Sequence, residues 1–156
     1  MKSKHLLSIF SALFMSLLLF SCSSDDDSNS GDSATVIAQL ETSIKSGTWR
    51  VSNFNEDGNN QTSDFNGYVF TFSEGGVVAA SNGTTTITGT WVTSIGSSSS
   101  SSGSNPKFIL EFNVSNGPFE EISEDWRIES STNTKIDLKH VSGGDGSIDL
   151  LTFTKI

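Results

Sequence analysis

The sequence has few of the residues that stabilise or equip many small domains. Cys22 is the only cysteine in 156 residues, so the chain cannot form an internal disulfide and its hydrophobic core must stabilise the fold. With two histidines and one cysteine, the chain also lacks the residues of an ordinary zinc site. Only two prolines against 14 glycines, with 17% charged residues, fit a strand-rich domain with many turns.

Basic residues are scarce as well. The chain has nine Lys and Arg against 18 Asp and Glu. Lys2 and Lys4 take two of the nine, so residues 22–156 carry seven basic and 18 acidic residues, a net charge of −11. Nucleic-acid binding depends on Lys and Arg contacts to phosphate, so this balance argues against a nucleic-acid partner. It suits a protein that must stay soluble beside an anionic membrane surface.

The N terminus has the layout of a secretory signal. The two lysines precede a short apolar run that ends at small residues, which is too short for a spanning helix. Leu19-Phe20-Ser21-Cys22 resembles the lipobox of bacterial lipoproteins. The resemblance implies that residues 1–21 are a lipoprotein signal peptide and that Cys22 carries acyl chains such as palmitate, which together anchor a protein stably. The alternative is a free cysteine within an ordinary signal peptide.

The residues after the cysteine predict a flexible acidic tether over 22–33. Ser23-Ser24-Asp25-Asp26-Asp27 is too polar and too charged to fold. Acidic clusters at this place also resemble the surface-export signals of Bacteroidota-type lipoproteins. That resemblance implies an outer-membrane protein facing the cell exterior, whereas a plain linker would leave it on the periplasmic face.

A short amphipathic helix is predicted over 34–46. Val36, Ile37, Leu40 and Ile44 follow one another at helical spacing, and Ser33 precedes them as a candidate N-cap. Ser33 also lies in Asp-Ser-Ala, which resembles a short O-glycosylation motif of the same bacterial group. Both interpretations of Ser33 remain open.

The hydrophobic period changes to two after residue 47, and eight short strands are predicted to follow. Turn residues separate the runs, among them Asp57-Gly58, Glu74-Gly75-Gly76 and Asn82-Gly83. Evenly spaced strands with tight turns predict an all-β fold, an eight-stranded antiparallel up-and-down barrel over 34–156. A serine-rich loop at 96–103 and a short helix or turn at 118–124 would interrupt the strands.

Short motifs on these strands carry a family resemblance. Gly47-Thr48-Trp49, Gly89-Thr90-Trp91, Trp126-Arg127-Ile128 and the C-terminal Leu-x-Phe-x-Lys are similar to lipocalin-like domains of Bacteroidota-type lipoproteins. The resemblance implies the barrel and, in part of the family, the binding of a small apolar molecule. Many small lipocalin-like domains have no established ligand.

Two functions from different classes follow. The first is a surface-anchored binding module that holds a small apolar or amphipathic molecule, with Trp49, Tyr68, Trp91 and Trp126 as the lining. The second is a solid barrel that binds a glycan or an outer-membrane protein through its outer surface. An eight-stranded barrel is just wide enough to be filled by its own side chains or to hold one small ligand. A contiguous cavity of roughly 300 Å³ or more would favour the first function.

Catalysis has little support in the sequence, and we expect no enzyme and no cofactor. His140 is the only histidine after the signal, no G-x-S-x-G motif is present, and the alternation predicts His140 as a strand-end residue. The acidic run contains Glu120, Glu121, Glu124 and Asp125, which could suggest a glycosidase pair but fit a solvated loop better.

No metal site is predicted, and the chain is expected to be monomeric. The loops at Asp57 and Asp145 offer oxygen ligands for calcium, but neither has the spacing of an EF-hand. Phe54, Phe65 and Phe119 are expected on the surface, where scattered apolar residues are ordinary.

Overall fold

The computed structural model describes residues 30–96, 105–144 and 146–156. Within these ranges the elements are, in chain order, α1 Ser30–Ile44, β1 Thr48–Glu56, β2 Asn59–Asn60, a 3-10 helix Thr62–Phe65, β3 Val69–Ser73, β4 Val77–Ser81, β5 Thr86–Gly96, β6 Asn105–Phe112, α2 Pro118–Glu121, β7 Asp125–Ser131, β8 Lys135–Val141 and β9 Ile148–Lys155. None of the helices in these ranges is both long and apolar enough to cross a membrane. The signal peptide, Cys22, most of the tether and most of the 96–103 loop lie outside the described residues.

The sheet is a closed antiparallel barrel of eight strands. Each of β3 to β9 pairs with its neighbour in the chain, and β1 closes the ring by pairing with both β3 and β9. The two-residue β2 only extends the hairpin at the end of β1. The predicted eight-stranded up-and-down barrel with a short N-terminal helix is therefore confirmed.

Inward-facing residues of the strands fill the barrel. Phe70 and Phe72 of β3, and Trp126 and Ile128 of β7, point inward, while the residues between them are exposed. Gly89 shows how closely the strands pack, since a Cβ at this position of β5 would lie 2.2 Å from the carbonyl oxygen of Glu111 on β6. Only glycine permits such a backbone approach.

Helix α1 closes one end of the barrel. Leu40 and Ile44 are fully buried against the ends of the strands, and Gln39 Nε2 donates to the carbonyl of Ser131 at 3.0 Å. The helix begins at Ser30, four residues before the predicted start and within the predicted tether. Ser33 therefore lies inside the helix and is 4% exposed, so its assignment as the N-cap is wrong.

The opposite end is closed by the 3-10 helix and α2. Phe65 and Phe119 point from these two elements into the barrel mouth, with ring centroids 5.5 Å apart. The prediction that Phe54, Phe65 and Phe119 lie on the surface is wrong, because all three are at most 4% exposed. Phe65 and Phe119 lie outside the alternating strands, so strand periodicity could not assign them to the core.

Candidate functional site

Connected aromatic rings fill the barrel interior. Phe72 lies edge-on to Trp91, Phe108 and Phe153, with centroid distances of 6.1, 5.9 and 5.6 Å. Phe153 in turn contacts Phe70 at 5.2 Å, which continues the cluster toward Phe119 at the mouth. Aromatic pairs at these distances and edge-on angles are favourable packing contacts. The centre of the barrel is thus occupied by the protein's own side chains.

The structure places Trp49 and Trp126 deep in this core. Both are 0% exposed, and each indole N–H donates to a backbone carbonyl, that of Ile44 at 2.8 Å and that of Ile122 at 3.0 Å. Lys155 Nζ lies 5.6 Å from the ring centroid of Trp49, a cation–π arrangement that covers the ring at the α1 end. The indole N–H of each tryptophan therefore already has a hydrogen-bond acceptor within the protein.

Trp91 and Tyr68, the other two predicted lining residues, lie nearer the surface. Trp91 is 7% exposed and its Nε1 donates to the carbonyl of Ser73 at 3.2 Å. Tyr68 is half-buried, and its ring lies 4.9 Å from that of Phe119. Among the described residues, no direct ring contact joins any two of the four predicted residues. Trp49 and Trp126 therefore lie in the core, while Trp91 and Tyr68 line two separate hollows at the surface.

An open groove with a volume of about 720 Å³ lies on the outside of the barrel. Helix α1 forms one side, the turn between β3 and β4 forms another, and β5 forms the floor. We call it the helix groove, and its lining residues are Glu41, Lys45, Glu74, Gly75, Gly76, Thr90, Trp91, Val92 and Thr93. Its lining combines carboxylates, an ammonium group and threonine hydroxyls with the exposed side chain of Val92.

The helix groove depends on a close contact between the β3–β4 turn and β5. Trp91 N donates to the carbonyl of Gly76 at 2.8 Å, and Gly76 has a φ of +78°. A Cβ on Gly76 would lie 2.9 Å from the Trp91 carbonyl oxygen, so glycine is needed both for the conformation and for the approach. On the other side, the Thr93 hydroxyl donates to the carboxylate of Glu41 and ties α1 to the floor.

Sequence reasoning missed the helix groove. Glu41 and Lys45 are one helical turn apart, which the sequence shows, but their position opposite the β3–β4 turn arises from long-range packing. Nothing in the local pattern around Glu74 indicates that a helix will lie beside it.

The acidic residues predicted as one run divide into two groups. At the α2 end, a side-chain hydrogen bond with Glu56 is the largest contribution that raises the pKa of Glu121 from 4.5 to about 7. Burial and the charges of Glu56 and Glu120 raise this pKa further. Glu56, the second carboxyl group of this pair, also accepts a hydrogen bond from Gln61 Nε2. This carboxyl pair links α2 to the end of β1.

The second group contains Glu124, Asp125 and His140. His140 lies near the end of β8, as predicted, with Nδ1 3.3 Å from Glu124 Oε2. The three side chains each offer one ligand atom, and these atoms lie within 4.8 Å of one another. In the loops considered for calcium, the backbone N–H of Asp57 donates to Asp149 Oδ1 at 3.0 Å, and Asp145 lies outside the described residues.

Comparison with known proteins gives one limited similarity. No family model matches the chain, and no match was found among curated proteins. A solved structure of a DUF4847 family protein from Bacteroides vulgatus is similar to this chain, with 17% sequence identity, a TM-score of 0.48, and coverage of 74% of this chain and 96% of that one. The barrel itself is consistent with a binding or accessory role.

Proposed function

We propose that this protein is a lipid-anchored accessory module that binds its partner through the outer surface of a solid barrel, with the helix groove as the contact site. The observation that carries the proposal is the contrast between inside and outside. The interior is packed with aromatic rings and both ends are covered, by α1 and by Phe65 and Phe119. The open volume of about 720 Å³ lies on the exterior.

The lining of the helix groove favours a hydroxyl-rich partner such as a glycan. Glu41 and Glu74 offer acceptors, and Lys45 offers donors. The Thr90 hydroxyl can do either, whereas the Thr93 hydroxyl already donates to Glu41 and can only accept. These groups can hydrogen-bond to sugar hydroxyls, whereas an apolar ligand would leave them desolvated and unpaired. A glycan also fits a protein that faces the cell exterior.

The anchor is part of the same proposal. The described domain begins at Ser30, so residues 23–29 would connect it to an acylated Cys22. Outer-membrane attachment by this lipid, on the exterior face, would place the groove within reach of surface glycans. Replacing Cys22 with serine should release the protein from the membrane fraction of the expressing host, whereas retention in that fraction would contradict the anchor.

The groove is tested with the full chain on a panel of bacterial surface glycans, using saturation-transfer NMR to detect binding. Glu74→Gln and Lys45→Gln each replace a charged group that lines the groove with a neutral one, which should weaken one hydrogen bond to the glycan by about 1 kcal/mol. The double variant should therefore bind about 30-fold more weakly than the parent. Glu129→Gln on the exposed face of β7 is the matched control and should bind as the parent does. Equal binding by the double variant and the parent would exclude the helix groove.

The competing function, a small apolar molecule inside the barrel, has its own readout. Native mass spectrometry of the protein from its original host would show an additional mass that leaves on denaturation. A panel of lipids and hydrophobic dyes would then quench the fluorescence of the buried tryptophans. Either result would contradict the solid-barrel proposal.

A further inference from the structure

Strand pairing brings three possible metal ligands together at the α2 end of the barrel. Glu124 directly precedes β7, Asp125 begins it, and His140 is next to last in β8. Because β7 and β8 are antiparallel, with Arg127 opposite Lys139, the start of one lies beside the end of the other. The three ligand atoms lie within 4.8 Å of one another, although the residues are up to 16 positions apart.

Packing holds the imidazole ring of His140 in place, and its Nδ1 atom takes no part in this packing through a hydrogen bond. The His140 ring lies edge-on to Trp126, with centroids 6.0 Å apart and an interplanar angle of 82°. Nδ1 is buried and makes no hydrogen bond, although Glu124 Oε2 is only 3.3 Å away. A buried polar atom without a hydrogen-bond partner is unfavourable, so a ligand that binds Nδ1 would remove this cost.

The two carboxylates are positioned by different means. The backbone of Glu124 is fixed on both sides, because its N–H donates to the Ile122 carbonyl at 3.1 Å and its carbonyl accepts from Leu110 N at 3.0 Å. The side chain of Asp125 forms an ion pair with Lys107, so one cationic group already contacts the outer edge of the cluster.

We infer that Glu124, Asp125 and His140 form a binding site for a divalent transition-metal ion, with Zn²⁺ as the best fit. Two carboxylate oxygens and one imidazole nitrogen suit Zn²⁺, while Ca²⁺ and Mg²⁺ favour sites built from oxygen alone. Three protein ligands leave a fourth tetrahedral position for water. The sequence argued against zinc by counting histidines and cysteines, but the fold supplies two carboxylates beside the one histidine. The site is separate from the helix groove and does not depend on the function proposed for it.

The test is calorimetric titration of the metal-free full chain with ZnCl₂, together with ¹⁵N NMR of the histidine side chains. One saturable site is expected, and zinc should shift the Nδ1 resonance of His140. This resonance is assigned by its absence from the spectrum of His140→Gln. His140→Gln and Glu124→Gln should each weaken zinc binding by at least about ten-fold, since even residues that only orient ligands contribute that much. Lys107→Gln should tighten binding about five-fold by removing the competing charge.

Glu129→Gln is the matched control, because it removes an exposed carboxylate from the same strand but lies outside the cluster. It should bind zinc as the parent does, and circular dichroism should show that all variants are folded. The inference is wrong if the parent shows no saturable zinc binding, if folded His140→Gln and Glu124→Gln bind as tightly as the parent, or if CaCl₂ binds the parent as tightly as ZnCl₂ does.

Discussion

Phe119 connects α2 to the core, and replacing it with alanine should be among the most destabilising single changes in this protein. Its ring is 4% exposed and contacts four others, those of Phe65, Tyr68, Phe70 and Phe112, at centroid distances of 5.5, 4.9, 6.0 and 4.9 Å. Phe119→Ala would remove all four contacts and leave a cavity at the barrel mouth.

The magnitude follows from the burial and from the few ways in which the site can relax. Phenylalanine-to-alanine changes in a packed core cost about 3–5 kcal/mol, through lost transfer free energy and the remaining cavity. The strands around the mouth are held by the closed barrel, so collapse onto the cavity is limited. We therefore expect the upper half of that range, roughly 4 kcal/mol, and a Tm lower by roughly 10 °C or more.

Urea unfolding followed by tryptophan fluorescence measures this loss. Phe119→Leu is the conservative comparison, since it keeps most of the apolar volume and should cost about 1.5 kcal/mol. Val92→Ala, at a side chain 54% exposed, should change the free energy of unfolding by less than about 0.5 kcal/mol. If Phe119→Ala loses less than about 1 kcal/mol, α2 does not close the barrel as described. If Phe119→Ala binds hydrophobic dyes and the parent does not, the Phe119 ring closes the mouth of the native barrel.

Two further predictions concern pH and the turn at the helix groove. Because the pKa of Glu121 is raised to about 7, this carboxyl group stabilises the fold fully below pH 4.5, and its contribution is lost as the pH rises through 7. In Glu121→Gln, the free energy of unfolding should therefore depend less on pH between 4.5 and 7 than in the parent. Burial alone would raise the pKa of Asp137, but hydrogen bonds from Lys135, Ser130 and Thr152 outweigh it and lower the pKa. Asp137→Asn should therefore destabilise the fold at pH 7 and have no such effect in acid, where the carboxyl is protonated. Unfolding midpoints measured across pH test this. Gly76→Ala should cost about 1 kcal/mol more than Gly75→Ala, since both have positive φ but only a Cβ on Gly76 meets backbone within 4 Å; equal losses in urea unfolding would contradict the contact with Trp91.

Most of the barrel could be predicted from the sequence because most of its strands alternate locally. Phe70 and Phe72 on β3, or Ile136 and Leu138 on β8, identify both the strand and its inner face without knowledge of any partner. Closure of β1 onto β9 follows once eight such strands share one apolar face. The predicted start of α1 is four residues late, because Ser30 to Ser33 are polar or glycine and give no apolar period for the first turn.

The candidate sites were harder to predict because they depend on contacts that no local pattern contains. Phe119 lies in an acidic segment, and only its position above the barrel mouth makes it a core residue. Glu124 and His140 look like a loop acid and a strand-end histidine until antiparallel pairing brings them together. Strand alternation assigns Trp49, Trp91 and Trp126 to the inner face of the barrel, but it cannot distinguish rings around a void from rings that fill one another's space, so the sequence left both hypotheses open.

That distinction bears directly on how such a barrel can acquire a function. The interior tryptophans donate their indole N–H groups to the protein's own carbonyls, so a ligand that displaced them would leave buried acceptors unpaired. Binding through exposed side chains of the outer surface, such as Glu74 and Glu124, carries no such penalty, because these groups are already solvated. The exposed side chains of both candidate sites could therefore change without loss of the fold. A filled barrel favours function at its helix, turns and strand ends, where both candidate sites of this protein lie.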